Sequence, residues 1–208
     1  HVEEPAPETT QPGTEKSRAA EDLRRLGAVL ALKDTKKALD AYRQAAELDP
    51  DDAWTWINLS RMQRQAGDLK AAEEAATRAR TAASRTGQDR EMMVGLNELG
   101  DSLRAQGDLP GALKAYEDGR AIRERLAKTD PGNAEWQRDL SVSWNKIGDV
   151  RSAQGDLPGA LKAYEDGRAI HERLAKLDPS NAGWQHDLSI SIARVNDTKR
   201  KLASKPKK

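Results

Sequence analysis

The segment AQGDLPGALKAYEDGRAI occurs twice in this chain, at residues 105–122 and again, letter for letter, at residues 153–170. The flanking sequence repeats too, because residues 105–143 and 153–191 differ at only six of 39 positions, at a constant spacing of 48. An active site is rarely duplicated in one short chain, whereas a stacking structural unit often is. The duplication therefore predicts a repeat architecture in which each unit buries its apolar face against its neighbours.

Weaker copies of the same unit occur upstream. AGDLKAAEEA at 66–75 matches QGDLPGALKA at 106–115, and LDPDDAW at 48–54 matches LDPSNAGW at 177–184. Apolar residues recur at helical spacing between these turns, so each unit is predicted to contain two helices. We expect four units, of which the first is the most degenerate.

Two kinds of turn are predicted to separate the helices. In the first kind a Gly ends one helix and an Asp caps the next, and the capping residues are Asp68, Asp108 and Asp156. In the second kind Asp-Pro ends a helix, because proline disfavours helical backbone in the residue before it. The caps that follow this second turn are Asp52, Asn133 and Asn181.

Two glycines lie inside predicted helices, at Gly100 and Gly148. Glycine in a helix costs about 1 kcal/mol relative to alanine, so a close approach must offset that cost. We expect Ala112 and Ala160 of the partner helices to pack against Gly100 and Gly148.

The spaced residues of the two clearest copies define a pattern. One copy contains Leu96, Leu99-Gly100, Gly107-Asp108, Ala112, Tyr116, Gly119 and Pro131, and the next contains Trp144, Ile147-Gly148, Gly155-Asp156, Ala160, Tyr164, Gly167 and Pro179. Over about residues 17–203 this pattern resembles the tetratricopeptide repeat, and the 48-residue spacing resembles the long variant found in large bacterial proteins. Compared with the usual 34-residue unit, the extra residues predict longer helices in the later units.

The resemblance implies an all-α fold, an α-solenoid of antiparallel helix pairs that form a right-handed superhelix with a C-terminal capping helix. Residues 1–16, rich in Pro, Glu and Thr, are predicted to be a disordered linker. The predicted helix pairs span residues 17–50, 51–87, 88–131 and 132–179. The capping helix is predicted at 181–203, and a basic tail at 204–208.

Several classes of function are not expected from these residues. The chain has no Cys, which excludes disulfides and thiolate metal sites. Its three histidines do not form a metal-binding motif, and His171 and His186 align with Arg123 and Arg138 of the other copy, which suggests surface positions. There is no phosphate-binding glycine-rich loop. We therefore predict no enzyme activity, no cofactor and no metal.

The resemblance implies instead a protein-interaction scaffold, in which the first helix of each pair lines a concave groove. A protein or peptide would bind there. The candidate groove residues are Trp54, Asn58, Arg61, Arg64, Gln65, Asn97, Asp101, Arg104, Asn145 and Asp149. Trp54 is expected to be the most exposed aromatic side chain, because it is only two residues from Trp56, which is predicted to be buried.

Two other functions stay open at this point. The array could bind a copy of itself as an assembly module of a larger signalling or effector protein. Alternatively, six basic residues among the last ten could bind an anionic polymer, although the body of the chain is mildly acidic and neither nucleic acid nor membrane is the expected partner. The chain begins with His1, which suggests a fragment of a longer protein, cytoplasmic or, after removal of an upstream signal or anchor, periplasmic.

Overall fold

The computed structural model describes the backbone of residues 12–204 and the side chains of residues 15–204. All regular structure in this range is helical. In chain order the helices are α1 (Pro12–Leu30), α2 (Thr35–Leu48), α3 (Ala53–Gln65), α4 (Leu69–Thr86), α5 (Asp89–Gln106), α6 (Leu109–Thr129), α7 (Ala134–Ala153), α8 (Leu157–Leu177) and α9 (Ala182–Ser204).

The helices form two compact units, one ending at Glu91 and one beginning at Met92. In the first unit α1 packs on α2, α2 on α3, and α3 on α4. In the second unit α6 packs on α7, α7 on α8, and α8 on α9, while α5 contacts α6 through Tyr116 and Arg123. Contacts between consecutive helices are those of a solenoid. The predicted all-α solenoid with a C-terminal capping helix is therefore confirmed.

The Gly-Asp turns have the predicted chemistry. Gly67, Gly107 and Gly155 have φ values of 85°, 88° and 81°, a left-handed conformation that favours glycine. The Asp after each glycine accepts a hydrogen bond from the backbone N–H three residues later, and the caps are Asp68, Asp108 and Asp156. These turns fix where each second helix begins.

The prediction of longer helices in the later units holds only from α6 onward. Helices α6 to α9 contain 21, 20, 21 and 23 residues, whereas α1 to α5 contain 19, 14, 13, 18 and 18. Trp136 and Trp184 lie in the first turns of α7 and α9. Both pack against a core of buried residues that includes Leu140, Ile170 and Leu174. The added length therefore has an apolar core of its own.

The expected partner of the helical glycines was wrong. A Cβ atom added at Gly148 would lie 2.5 Å from Cε1 of Tyr164, and Gly100 contacts the Tyr116 ring in the same way. Ala112 and Ala160 are buried, but it is the tyrosine ring that occupies the space over each glycine. The large ring buries more apolar area than alanine could, and only a residue without a side chain leaves room for it.

The chain ends fall partly outside the described range. Of the predicted linker, residues 1–11 are not described, while residues 12–16 belong to α1. Pro12 is the first residue of that helix, where a missing N–H costs no hydrogen bond. Residues 205–208 of the predicted basic tail also lie outside the described range, and Ser204 ends α9.

Candidate functional site

Within the second unit, ion pairs join the first helices of successive repeats into one layer. Nζ of Lys146 on α7 lies 2.6 Å from Oδ1 of Asp101 on α5. Arg138 Nε on α7 lies 2.7 Å from Asp187 Oδ2 on α9, and Arg194 on α9 pairs with Asp149 on α7. Helices α5, α7 and α9 therefore share a face, with α6 and α8 packed behind it.

Each of two aspartates in this layer also binds a tyrosine from the second helix of its own pair. Tyr116 and Tyr164 donate their hydroxyl hydrogens to Asp101 and Asp149, respectively. The cation that pairs with each aspartate also lies over the tyrosine ring, at 5.1 Å for Lys146 Nζ and Tyr116. Burial and the hydrogen bond to Asp149 raise the pKa of Tyr164, so the phenol stays protonated and remains a donor.

A row of partly exposed apolar side chains lies on the same face as these ion pairs. Val94, Val142 and Ile190 occupy equivalent positions 48 residues apart on α5, α7 and α9. Val142 is 41% exposed and Ile190 is 40% exposed. Helical spacing puts Val142 between Arg138 and Lys146, one turn away in each direction. We call Val94, Val142 and Ile190 the apolar row; sequence reasoning missed it, although the 48-residue spacing pointed to it.

The groove residues predicted in the second unit differ in whether their side chains are already bound within the chain, buried or exposed. The carboxylates of Asp101 and Asp149 are already bound within the chain. Asn97 and Asn145 are half-buried, and the Oδ1 atom of each is buried without a hydrogen-bond partner. Arg104 is exposed near the end of α5. The two aspartates therefore stabilise the packing of three helices, which sequence reasoning did not foresee.

The groove residues predicted in the first unit all lie on α3. Asn58, Arg61 and Arg64 are half-buried and Gln65 is exposed. Trp54 is half-buried, less exposed than predicted, because its indole N–H donates to Glu91 Oε1 at 2.9 Å. Trp56 is buried, as predicted.

His171 is buried rather than on the surface, so its predicted location was wrong. It is 4% exposed, and its ring nitrogens lie 2.6 Å from Ser141 Oγ on α7 and 2.5 Å from Ser191 Oγ on α9. The small serines leave a slot between helices that admits a long polar side chain. Arg123 fills the same slot one repeat earlier and donates to the Met93 carbonyl. Because Ser141 and His171 are buried, we assign them a structural role.

Acid should destabilise the second unit through His171. Burial lowers the pKa of His171, although Asp187 opposes this effect and Arg138 adds to it. Below the unfolded-state pKa of about 6.5 the unfolded chain binds more protons than the folded one, so the stabilisation is present above that pH and is lost as the pH falls through it. We expect His171→Gln to reduce the loss of stability between about pH 8 and pH 5, measured by denaturant unfolding. His186→Gln, at an exposed position, is the control, and an equal effect of both substitutions would contradict this role.

Metal-binding groups of side chains and membrane-spanning helices are both absent from the described part of the chain. No group of three or more His, Asp or Glu side chains between residues 15 and 204 is arranged to hold a metal ion. In the same range, no helix combines the length and the apolar character needed to cross a bilayer. The features that stand out on the face shared by α5, α7 and α9 are the apolar row and the ion pairs that flank it.

Comparison with known proteins gives matches to repeat proteins. Family models described as tetratricopeptide repeat match residues 29–85 and 94–131. One similar solved structure is MamA, with 20% identity over 79% of this chain and 87% of that chain and a TM-score of 0.59. Another is a Podosopora anserina protein with nearly identical TPR-like repeats, with 16% identity over 91% of this chain and 99% of that chain and a TM-score of 0.65. BtubC from P. vanneervenii is also similar, with 18% identity over 94% of this chain and 92% of that chain and a TM-score of 0.61. At these identities the structures show the fold alone. No curated protein sequence matches the chain significantly.

Proposed function

Because this chain is a tetratricopeptide-repeat protein, we propose that it is a non-catalytic scaffold that binds a peptide or protein segment of a partner along the apolar row. Tetratricopeptide repeats serve in general as protein-interaction scaffolds. The partner segment would lie on the face shared by α5, α7 and α9, and its apolar side chains would contact the apolar row.

The apolar row is the observation that carries the proposal. Val142 and Ile190 are each two-fifths exposed at equivalent positions of α7 and α9, and charged side chains flank them. An exposed apolar strip with a polar rim is a feature of interaction surfaces. Neither Val142 nor Ile190 fills a core position, and both could be polar without harm to the packing. The equivalent position in the second repeat is Trp54, which is also apolar.

The charges beside the row favour an apolar mode of binding. Asp101, Asp149 and Asp187 already pair with cations of the same unit. A partner that relied on these charges would have to break pairs that also hold the helices together. Binding should therefore depend mainly on buried apolar area and should weaken little when salt screens exposed charges.

Aspartate substitutions in the apolar row should weaken the binding of a partner peptide. Peptides would be selected from a random display library on the intact protein, and their affinities measured by fluorescence anisotropy. Val142→Asp or Ile190→Asp would place a charge in a contact that excludes water, so we expect at least a tenfold loss of affinity, about 1.4 kcal/mol. Circular dichroism would show that both variants remain folded.

Ile192→Asp provides a matched control. Ile192 is 39% exposed, on the same helix as Ile190, and two residues further on, which turns its side chain to a different face. The control should bind as the parent does. If Ile192→Asp lowered the affinity for the peptide while Ile190→Asp and Val142→Asp did not, the binding surface would lie elsewhere.

Self-association is the second candidate, and the first helix favours it. Leu26 and Val29 on α1, and Leu32 just after it, are exposed large apolar side chains. Light scattering over a range of protein concentrations would separate the two candidates. A molar mass that rises with concentration, and that falls to the monomer value with Val29→Asp, would support assembly.

A further inference from the structure

Helix α7 binds its antiparallel partner α8 through one side. Ser141 Oγ lies 2.6 Å from the His171 ring, and Gly148 lies under the ring of Tyr164. The residues of α7 that make these contacts, together with those that meet Gly167 and Arg173 of α8, are Gln137, Ser141, Trp144, Asn145 and Gly148. This side of α7 is therefore the surface on which the second helix of the pair packs.

Helix α9 is the repeat equivalent of α7, and the corresponding side of α9 is exposed. The residues 48 positions further on are Gln185, Ser189, Ile192, Ala193 and Asn196, and all five are exposed. We call these five residues the open face of α9. It lies away from the apolar row, since Ile190 is two positions from Ile192 and therefore points to a different side of the helix.

A second helix of the α8 type would not fit the open face. In α7, the glycine at position 148 leaves room for the Tyr164 ring, because a Cβ atom there would lie 2.5 Å from Cε1 of that ring. Asn196 stands in the place of Gly148 and carries a side chain. A tyrosine at the equivalent position of a following helix would collide with Asn196, so the open face requires a helix with a different pattern.

The open face is close to symmetric about a point between Ile192 and Ala193. At equal distances on either side of that point, side chains of similar size are exposed. The pairs are Ser189 with Asn196, Gln185 with Arg200, and Ala182 with Ala203, and all six residues are exposed. At 3.6 residues per turn these residues share one side of the helix. Such a helix is complementary to an antiparallel copy of itself, because a two-fold axis exchanges the members of each pair.

We propose that two copies of this chain form a symmetric dimer through the open face, with their α9 helices antiparallel. Ile192 packs against Ile192 of the second copy, and Ala193 against Ala193. The Asn196 amide donates to the hydroxyl oxygen of Ser189 of the second copy, whose own hydrogen is donated to the His186 carbonyl at 2.8 Å. The two-fold axis forms that hydrogen bond twice.

This dimer should be weak and reversible. A single pair of helices belongs to the interfaces that bury less than about 1,200 Å², which are typical of transient association. Arg200 lies beside the neutral Gln185 of the second copy, so the pairing brings no like charges into contact. We therefore expect a dissociation constant in the micromolar range or above.

Cysteine cross-linking tests the dimer on the intact chain, which contains no cysteine of its own. The Cβ atoms of the two Ala193 residues would face each other beside the two-fold axis, and a disulfide needs Cβ atoms about 3.5–4.5 Å apart. Ala193→Cys should therefore form a covalent dimer in a glutathione buffer at least ten times faster than Ile190→Cys. Ile190 is 40% exposed on the same helix and is the matched control. Equal rates for the two variants would overturn the proposal.

Sedimentation equilibrium gives a second, independent measurement. The molar mass of the parent should rise toward that of a dimer as the concentration approaches about 1 mM, where weak dimers are populated. Ile192→Asp places two carboxylates side by side at the two-fold axis, so it should weaken dimerisation at least tenfold while circular dichroism shows a folded chain. Val29→Asp on α1 is the control and should leave the dimer unchanged.

Two results of this measurement would overturn the proposal. One is a parent protein that stays monomeric at every concentration. The other is a dimer that survives Ile192→Asp and is lost in Val29→Asp, which would assign self-association to α1. Peptide binding by the apolar row is expected to be the same in Ile192→Asp and in the parent, so failure of the dimer leaves the proposed peptide-binding function standing.

Discussion

Removal of α9, by ending the chain at Pro179, should cost the second unit its cooperative folding and make it aggregate. Val195 of α9 is fully buried against Ala160 and Tyr164, and Trp184 packs against Ile170 and Leu174. Burial of each large apolar side chain contributes about 1.5–3 kcal/mol, so several such losses together approach the whole stability of a small domain. The truncation also leaves Asp149 without Arg194, and His171 without Ser191.

Size-exclusion chromatography and thermal melting of the truncated chain would measure this effect. A chain that ends at Ser204, and so keeps all of α9, is the control and should behave as the parent does. If the chain that ends at Pro179 were monomeric and melted at the parent temperature, α9 would not be a capping helix.

Gly148→Leu should destabilise the second unit, although leucine favours helix more than glycine does. The added side chain would begin 2.5 to 2.9 Å from three atoms of the Tyr164 ring. That ring cannot move freely, because its hydroxyl is bound to Asp149 and Arg194 lies over its face. Overpacking of this type typically costs about 1–3 kcal/mol, and more where a bound side chain must be displaced, so the net loss should exceed the helix-propensity gain of about 1 kcal/mol.

Denaturant unfolding of four variants would test the contact: Gly148→Leu, Tyr164→Ala, the double variant of both, and Gly132→Leu. Gly132→Leu, at an exposed turn where an added Cβ meets only Asp130 at 3.6 Å, should change stability little. The double variant Gly148→Leu/Tyr164→Ala should lose less free energy of unfolding than the two single variants lose together, because removal of the ring makes room for leucine. A Gly148→Leu protein as stable as the parent would show that the ring does not need the glycine.

Local rules predicted much of the fold. The left-handed glycine and the aspartate cap at Gly107-Asp108 depend only on neighbouring residues, so the sequence pattern is enough to place the turn. Packing partners were harder to predict, because small residues suggest small partners. The contact of Gly148 with Tyr164 depends on the reach of a ring from another helix.

The contacts of the candidate site were also harder to predict from the sequence, because they depend on residues from other helices. Asp149 has the solvated, polar character of a groove residue, yet it binds Arg194, 45 positions later, because α7 and α9 lie side by side. His171 looked exposed because its slot is made by serines on two other helices. The apolar row could have been found from the sequence, since its members repeat at the same 48-residue spacing as the quoted segment.

The most direct test of the central claim is to observe which methyl groups contact a bound peptide. Nuclear Overhauser effects would be measured between a selected peptide and the Val and Ile methyl groups of the intact protein. We expect contacts from the peptide to the methyls of Val94, Val142 and Ile190, and none to Ile192. Contacts to Ile192 without any to Val142 or Ile190 would contradict the assignment of the α5, α7 and α9 face as the partner-binding surface.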